Sequence, residues 1–189
     1  MIRYMMIDIN TSKGAVFSDD RKYRYALWRI WNPNKELILT IGLNPSSANE
    51  SKDDPTITRL MARAFRTGYG GLLMANLYGF VSTNPDNLLN NSNAIGELTD
   101  EYIKDMVKLS SIQLCGWGSF KPVIKRAGVI YSMLTYPVCL GVNADGNPKH
   151  PLYISYNMPM LYYDRTMRED TPHLSVFQPK NVAQLRNST

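Results

Sequence analysis

The chain has 189 residues, with 21 Lys and Arg against 16 Asp and Glu, a formal net charge of +5. Hydrophobic residues make up 44% and charged residues 20%, which excludes an intrinsically disordered chain. The length suits one domain, able to bury enough surface to fold without a disulfide or a metal, and the mild positive charge permits a nucleic-acid partner without requiring one.

Two cysteines, Cys115 and Cys139, are too few for a zinc ribbon or a four-thiolate iron–sulfur cluster. Both lie in apolar runs (IQLCGWG and YPVCLGV) and read as buried free thiols. The stretch MIRYMMIDINTSKG shows neither the long apolar run nor the small-residue cleavage site of a signal peptide. No run approaches the roughly 20 apolar residues of a membrane span. These features predict a cytoplasmic protein with no membrane partner and no metal.

In chain order, a polar turn over Phe17 to Tyr23 separates AVF from YRYALWRIW and predicts an N-terminal hairpin over about 14–32. Its second strand alternates Tyr23, Tyr25, Leu27 and Arg29 against Arg24, Ala26, Trp28 and Ile30, the pattern of a half-buried strand. Leu37 to Leu43 is a continuous apolar run, as a strand covered on both faces requires. Asp54 and Pro55 then read as the cap and first residue of a helix whose inner face holds Ile57, Leu60, Met61 and Ala64. A second buried strand, Leu72 to Ala75, ends at Asn76. A helix over Leu98 to Leu109, a third strand over Ile112 to Cys115, a helix over Pro122 to Leu134 and a fourth strand over Val138 to Val142 follow. The region after Tyr163 reads as an extension, about 164–189.

Strands alternating with helices predict an α/β three-layer sandwich: a central four-stranded parallel sheet with helices on both faces, plus the hairpin, with a core over about 37–155. Right-handed crossovers place the C-terminal ends of parallel strands on one edge, where ligands of open α/β sheets bind. That edge would collect Asn44, Asn76, Trp117 and Lys149-His150. Pro45 biases Asn44 away from helical angles, and its amide can orient a water or hold a substrate oxygen, or do no more than close the turn after the strand. The Asn76 amide offers a donor and an acceptor, matching the edge of a pyrimidine or bonding backbone at the strand end. His150 can donate to a developing oxyanion or stand as a solvated loop residue. Ser46 and Ser47 suit a cap or a phosphate contact, and Arg21, Lys22 and Arg24, interleaved with Tyr23 and Tyr25, suit either a solvated strand face or nucleic acid. His173 reads as a solvated loop residue.

The ordered set of motifs carries more than any one of them. A strand ending Gly-Leu-Asn-Pro, one ending Leu-Leu-Met-Ala-Asn, one ending Gly-Trp-Gly and a loop with His-Pro follow in that order. This resembles the uracil-DNA glycosylase superfamily over about Ile38 to Ser155. The whole chain also resembles a family of small bacterial and phage proteins with Gly-Leu-Asn-Pro-Ser and Pro-Lys-His-Pro-Leu-Tyr motifs. The resemblance implies a DNA glycosylase-like enzyme that hydrolyses the N-glycosidic bond of uracil or a modified pyrimidine in DNA and needs no cofactor. Asn44 would hold the attacking water, Asn76 would read the flipped base, and His150 would donate to the base oxygen that gains charge. Tyr78, Phe80 or Trp117 would form an aromatic wall. Ser46 stands where uracil-specific members carry a tyrosine and leaves room for a 5-substituent. Leu152-Tyr153-Ile154-Ser155 replaces the superfamily's strand wedge, so Leu152 and Tyr153, with Ser47 and Lys149, are candidate DNA contacts. The alternatives are a non-catalytic nucleotide- or nucleic-acid-binding module and a hydrolase of free nucleosides or nucleotides.

Overall fold

The computed structural model describes residues 7, 10–120, 123–169 and 176–177. His173 and most of the extension lie outside them. Seven strands form one sheet: β1 (Lys13–Phe17), β2 (Arg24–Ile30), β3 (Leu37–Gly42), β4 (Gly71–Asn76), β5 (Ile112–Cys115), β6 (Pro137–Cys139) and β7 (Leu161–Tyr162). Their order is β1-β2-β4-β3-β5-β6-β7. β3 pairs in parallel with β4 and β5, and β5 with β6; β1–β2, β2–β4 and β6–β7 are antiparallel.

The sheet is mixed: the parallel run β4-β3-β5-β6 is extended to seven strands by the hairpin beside β4 and by β7 beside β6, both joined antiparallel. The hairpin is no appendage, because β2 pairs with β4 and every one of its seven residues is buried. The half-buried alternation expected there fails for the same reason. The fourth strand ends earlier than expected, at Cys139 rather than Val142.

Among the described residues three α-helices cover the sheet. In α1 (Pro55–Arg66), Asp54 is the cap as predicted: its carboxylate accepts from the Ile57 N–H at 2.9 Å, and Pro55 opens the helix. α1 packs Ile57, Leu60 and Ala64 onto one face of the sheet, against Leu27, Ile38, Leu72 and Met74. α2 (Thr99–Leu109) and α3 (Val123–Tyr131) pack Tyr102, Ile103, Met106, Val123 and Ile130 onto the other, against Leu39, Ile41 and Leu73. Each strand thus feeds two cores by the period-two alternation of its side chains. Burying each such side chain is worth about 1.5–3 kcal/mol.

Two features of the sheet place residues at one rim. Parallel pairing sets Gly42 opposite Asn76 and Ile41 opposite Cys115, so β3, β4 and β5 all end there. β2 runs the other way, so its beginning, not its end, reaches the same rim. There Val16 pairs with Ala26 but Phe17 pairs with Arg24, which leaves Tyr25 as the extra residue of a β-bulge. Tyr25 and Ala26 consequently both join the core under α2, with Tyr25 stacked on Tyr102 at 5.7 Å. The phase of the strand shifts by one, and Arg24 turns toward the α1 face.

Candidate functional site

A cavity of about 200 Å³ opens at this rim. Asn44, Ser46, Asn76, Trp117 and His150 all line it, so candidates from four separate segments meet at one place. Arg24, Gly42, Asp54 and Met74 line it too.

Asn76, the last residue of β4, is 3% exposed. Its Oδ1 accepts from the Arg24 guanidinium at 3.3 Å, and its buried Nδ2 has no hydrogen-bond partner. A guanidinium only donates, so it fixes which way the amide faces: oxygen to Arg24, nitrogen away. Gly42 stands beside that nitrogen. A Cβ there would lie 2.8 Å from Asn76 Nδ2 and 2.7 Å from the Met74 methyl, so only glycine leaves the space.

Asn44 is locked. Its Nδ2 donates to the carbonyls of Pro45 at 2.9 Å and Ser82 at 2.8 Å, which ties the loop after β3 to the loop after β4. Both amide hydrogens are used, so what Asn44 offers a ligand is an acceptor oxygen. Ser46, half-buried, sits on the same loop, whereas Ser47 is exposed.

His150 begins a short 3₁₀ turn (Pro151–Tyr153), and its Nδ1 accepts from the Leu152 N–H at 3.3 Å. That bond requires Nδ1 to be unprotonated, so the neutral ring carries its hydrogen on Nε2. Burial lowers the His150 pKa below 6.5, and the Asp54 charge offsets part of the fall. Gly116 brings the histidine close: a Cβ there would meet the Pro151 ring at 2.7 Å. Trp117, 2% exposed, walls the cavity while its Nε1 donates to Asn147 Oδ1 at 3.2 Å.

Arg24 does not belong to a basic face of the hairpin, as the sequence suggested. It is 3% exposed and donates to Ala48 O at 2.8 Å as well as to Asn76. Burial pushes its pKa down to about 10, with Asp54 raising it and Arg29 lowering it further. It therefore stays charged at neutral pH. The rest of that cluster is exposed but neutralised: Arg21 forms a double contact with Glu50, and Lys22 pairs with Asp20 at 2.9 Å.

Other candidates lie apart. Tyr78 and Phe80 do not line the cavity; Tyr78 packs against the core under α2, and Phe80 meets Tyr23 edge-on at 5.9 Å. Lys149 pairs with Glu169 at 3.1 Å and lines a neighbouring cavity of about 270 Å³, shared with His150 and with Tyr153, which is 82% exposed. Leu152 is half-buried. Both cysteines are free and buried, and burial raises their thiol pKa values, so neither is a ready nucleophile.

Residues 24–152 match a family model described as a protein of unknown function (DUF1643). The chain belongs to that family. No curated protein and no solved structure matches the chain. The match begins at Arg24 and ends at Leu152, so it spans every residue of the cavity wall described above. Among the described residues no helix is long and apolar enough to cross a membrane, and no group of three or more His, Cys, Asp or Glu is placed to hold a metal ion.

Sequence reasoning missed Gly42 and Met74, set Arg24 on the outer face of the hairpin instead of in the cavity wall, and gave Asp54 only the role of a cap. Asp54 was the accessible one of these: a cap after a strand-end loop sits at the ligand edge by topology. Arg24 carried no such signal, because the bulge that turns it inward leaves no mark in the alternation.

Proposed function

We propose that the cavity is the base pocket of a glycosylase-like hydrolase that cleaves the N-glycosidic bond of uracil or a modified pyrimidine in DNA. The observation that supports this is the convergence of Asn44, Asn76 and His150, from three separate strand exits, on one small cavity. At about 200 Å³ it lies below the roughly 300–1,000 Å³ of sites for drug-sized ligands, so a single ring suits it.

The residues divide the work as follows. Trp117 covers the ring on the cavity wall. Asn76 Nδ2 and the His150 Nε2–H are donors for the ring oxygens. Cleavage sends the electron pair of the C1′–N bond onto the ring while a water oxygen bonds to C1′. The donors therefore face charge that grows in the transition state, where fixed dipoles lower the barrier most. Asn44, an amide, takes no proton but accepts a hydrogen bond from the water. Asp54 supplies a carboxylate on the same wall to receive the water's proton. Drawing the base out of a duplex costs a few kcal/mol, which the pocket must return. A second reading, hydrolysis of a free nucleoside or nucleotide, is favoured by the acid partners of Arg21 and Lys22, which weaken the case for a phosphate track along the hairpin.

The test is strand cleavage at abasic sites in matched oligonucleotides carrying uracil or 5-substituted pyrimidines, with free nucleosides in parallel. Wild type is expected to release base, and His150→Ala to slow single turnover by ~10²–10³-fold with little change in binding. Ser46→Tyr is expected to exclude 5-substituted rings while sparing uracil. Release from nucleosides but not oligonucleotides would move the assignment to the second reading, and release from neither would end both.

A further inference from the structure

Among the described residues three buried arginines besides Arg24 show what the fold does with such a charge. Arg29 pairs with Asp53 at 2.7 Å, and Arg126 pairs with Asp100. Among the described residues Arg63 has no carboxylate partner, but it donates to the carbonyls of Met158, Ile154 and Ser155 and lies over the Tyr156 ring. Arg24 has one carbonyl and one amide oxygen, and among the described residues it makes no ion pair. Its remaining side is the cavity.

The donor without a partner, Asn76 Nδ2, belongs to the side chain that Arg24 holds, and it is as deeply buried. His150 presents a third donor on Nε2. The titratable groups on the cavity wall are Arg24, His150 and Asp54. The Asp54 carboxylate accepts from the Ile57 N–H at the head of α1, and its charge acts on both Arg24 and His150. The cavity wall thus carries donors from Arg24, Asn76 and His150 and a whole positive charge, and the Asn76 nitrogen among them has no acceptor.

We infer that Arg24 and Asn76 form a site for an anionic ring edge, so that the cavity holds a nitrogen heterocycle in its ionised form in preference to the neutral ring. This rests on the base-pocket reading above, and it names the charge state which that pocket selects. A neutral pyrimidine imide offers an N–H between two carbonyls, and the acceptor that would meet it, Asn76 Oδ1, is already taken by Arg24. Loss of the ring proton turns the edge into acceptors only and spreads the charge over both oxygens. That edge matches donors at Arg24, Asn76 and His150, and a charged partner strengthens each bond. The mispaired neutral edge is disfavoured because a buried polar group is left unmet. Arg24 is then the residue that sets specificity for acidic rings.

The probe is 1-methyl-5-nitrouracil, whose one ring proton, the imide N–H, is acidic enough to leave near neutral pH and whose absorbance reports the ionised form; 1-methyluracil, neutral there, is the control. With wild-type protein the ionisation midpoint of the bound probe is expected to fall by about one pH unit, a tenfold preference for the anion. Arg24→Gln is expected to return the midpoint to its solution value and weaken probe binding about tenfold, while Arg24→Lys, which keeps the charge, recovers part of both. An unchanged or raised midpoint on wild type overturns the inference without any variant, as does failure of the probe to bind. Arg24→Gln binding the probe as tightly as wild type, with an unchanged circular dichroism spectrum, also overturns it. Binding of inorganic phosphate but not of the probe, lost in Arg24→Gln, overturns it in favour of a phosphate site. The two proposals fail separately: a shifted midpoint without base release sinks only the hydrolase, and base release with an unshifted midpoint sinks only the anion site.

Discussion

Arg126 and Arg24 sit within two residues of each other in what they touch, yet on opposite faces of the sheet. Arg126, from α3, donates its Nε to the carbonyl of Leu77 at 2.7 Å and closes on the Asp100 carboxylate of α2. Arg24 reaches Asn76, the residue before, and makes no ion pair among the described residues. A buried charge costs several kcal/mol unless it is paired and hydrogen-bonded, so the first is finished within the protein. The second is unfinished, and it borders a cavity. A buried polar group left incomplete beside an empty space marks where a ligand completes it, whereas the same group completed by its own chain marks a joint between helices.

The sharpest way to test that difference is to remove the partner at the finished site. Asp100→Ala leaves Arg126 buried and uncompensated, and it is expected to cost about 3 kcal/mol in chemical denaturation, the lower end for a buried pair because Asp100 is partly exposed. A loss below about 1 kcal/mol would show that the pair is no joint.

Gly42→Ala should come next. The added methyl meets the flexible end of Met74, which can move, and Asn76 Nδ2, which Arg24 holds in place. Overpacking of this kind costs about 1–3 kcal/mol. Binding of a pyrimidine is expected to suffer more than stability, since the crowded atom is the free donor. Measured ligand affinity unchanged alongside lowered stability would place Gly42 in the core rather than in the site.

At the unfinished site, Arg24→Met should change stability by less than about 1 kcal/mol in the ligand-free protein, since the desolvation penalty leaves with the charge and offsets the lost bonds. Equilibrium urea unfolding beside Asp100→Ala makes the comparison direct. Equal losses for the two variants would break it and make Arg24 structural.

The smallest effect is on pH. His150 has its folded pKa lowered below 6.5 by burial, so the unfolded state takes up its proton first as pH falls. The stability that the neutral histidine contributes is whole above pH 6.5 and is lost as pH drops through its depressed folded value. The unfolding midpoint of wild type is expected to fall in that window more than that of His150→Gln. Parallel profiles would show that the histidine titrates as if in water.

Much of the rim was legible from sequence because it follows from local rules. Apolar runs that end in Asn, Gly-Trp-Gly or a His-Pro loop name their own strand ends, and Asp54-Pro55 names the head of α1. Parallel neighbours must end on one side, so Asn44, Asn76, Trp117 and His150 could be expected together. Tyr78 and Phe80 were harder, because alternation after a strand end stops at the first turn: Phe80 instead makes a bridge with Tyr23, which pulls it toward the hairpin. Lys149 follows the same logic, since a long side chain goes to the nearest carboxylate, here Glu169, which lies 20 residues away in sequence.

The amino-acid order alone determined the alternation of strands and helices, the capped head of α1, the buried free thiols and the strand-end amides, because each depends on neighbours within a few residues. Tertiary structure decided that β2 enters the sheet antiparallel beside β4, so that the start of a strand shares a rim with the ends of three others. It also decided that Tyr25 bulges, which exchanges the faces of the strand at a single step and turns Arg24 from a presumed outer cation into the charged wall of the cavity. A bulge is a compromise between two strands' registers, and register belongs to the pair, so no reading of one strand reveals it.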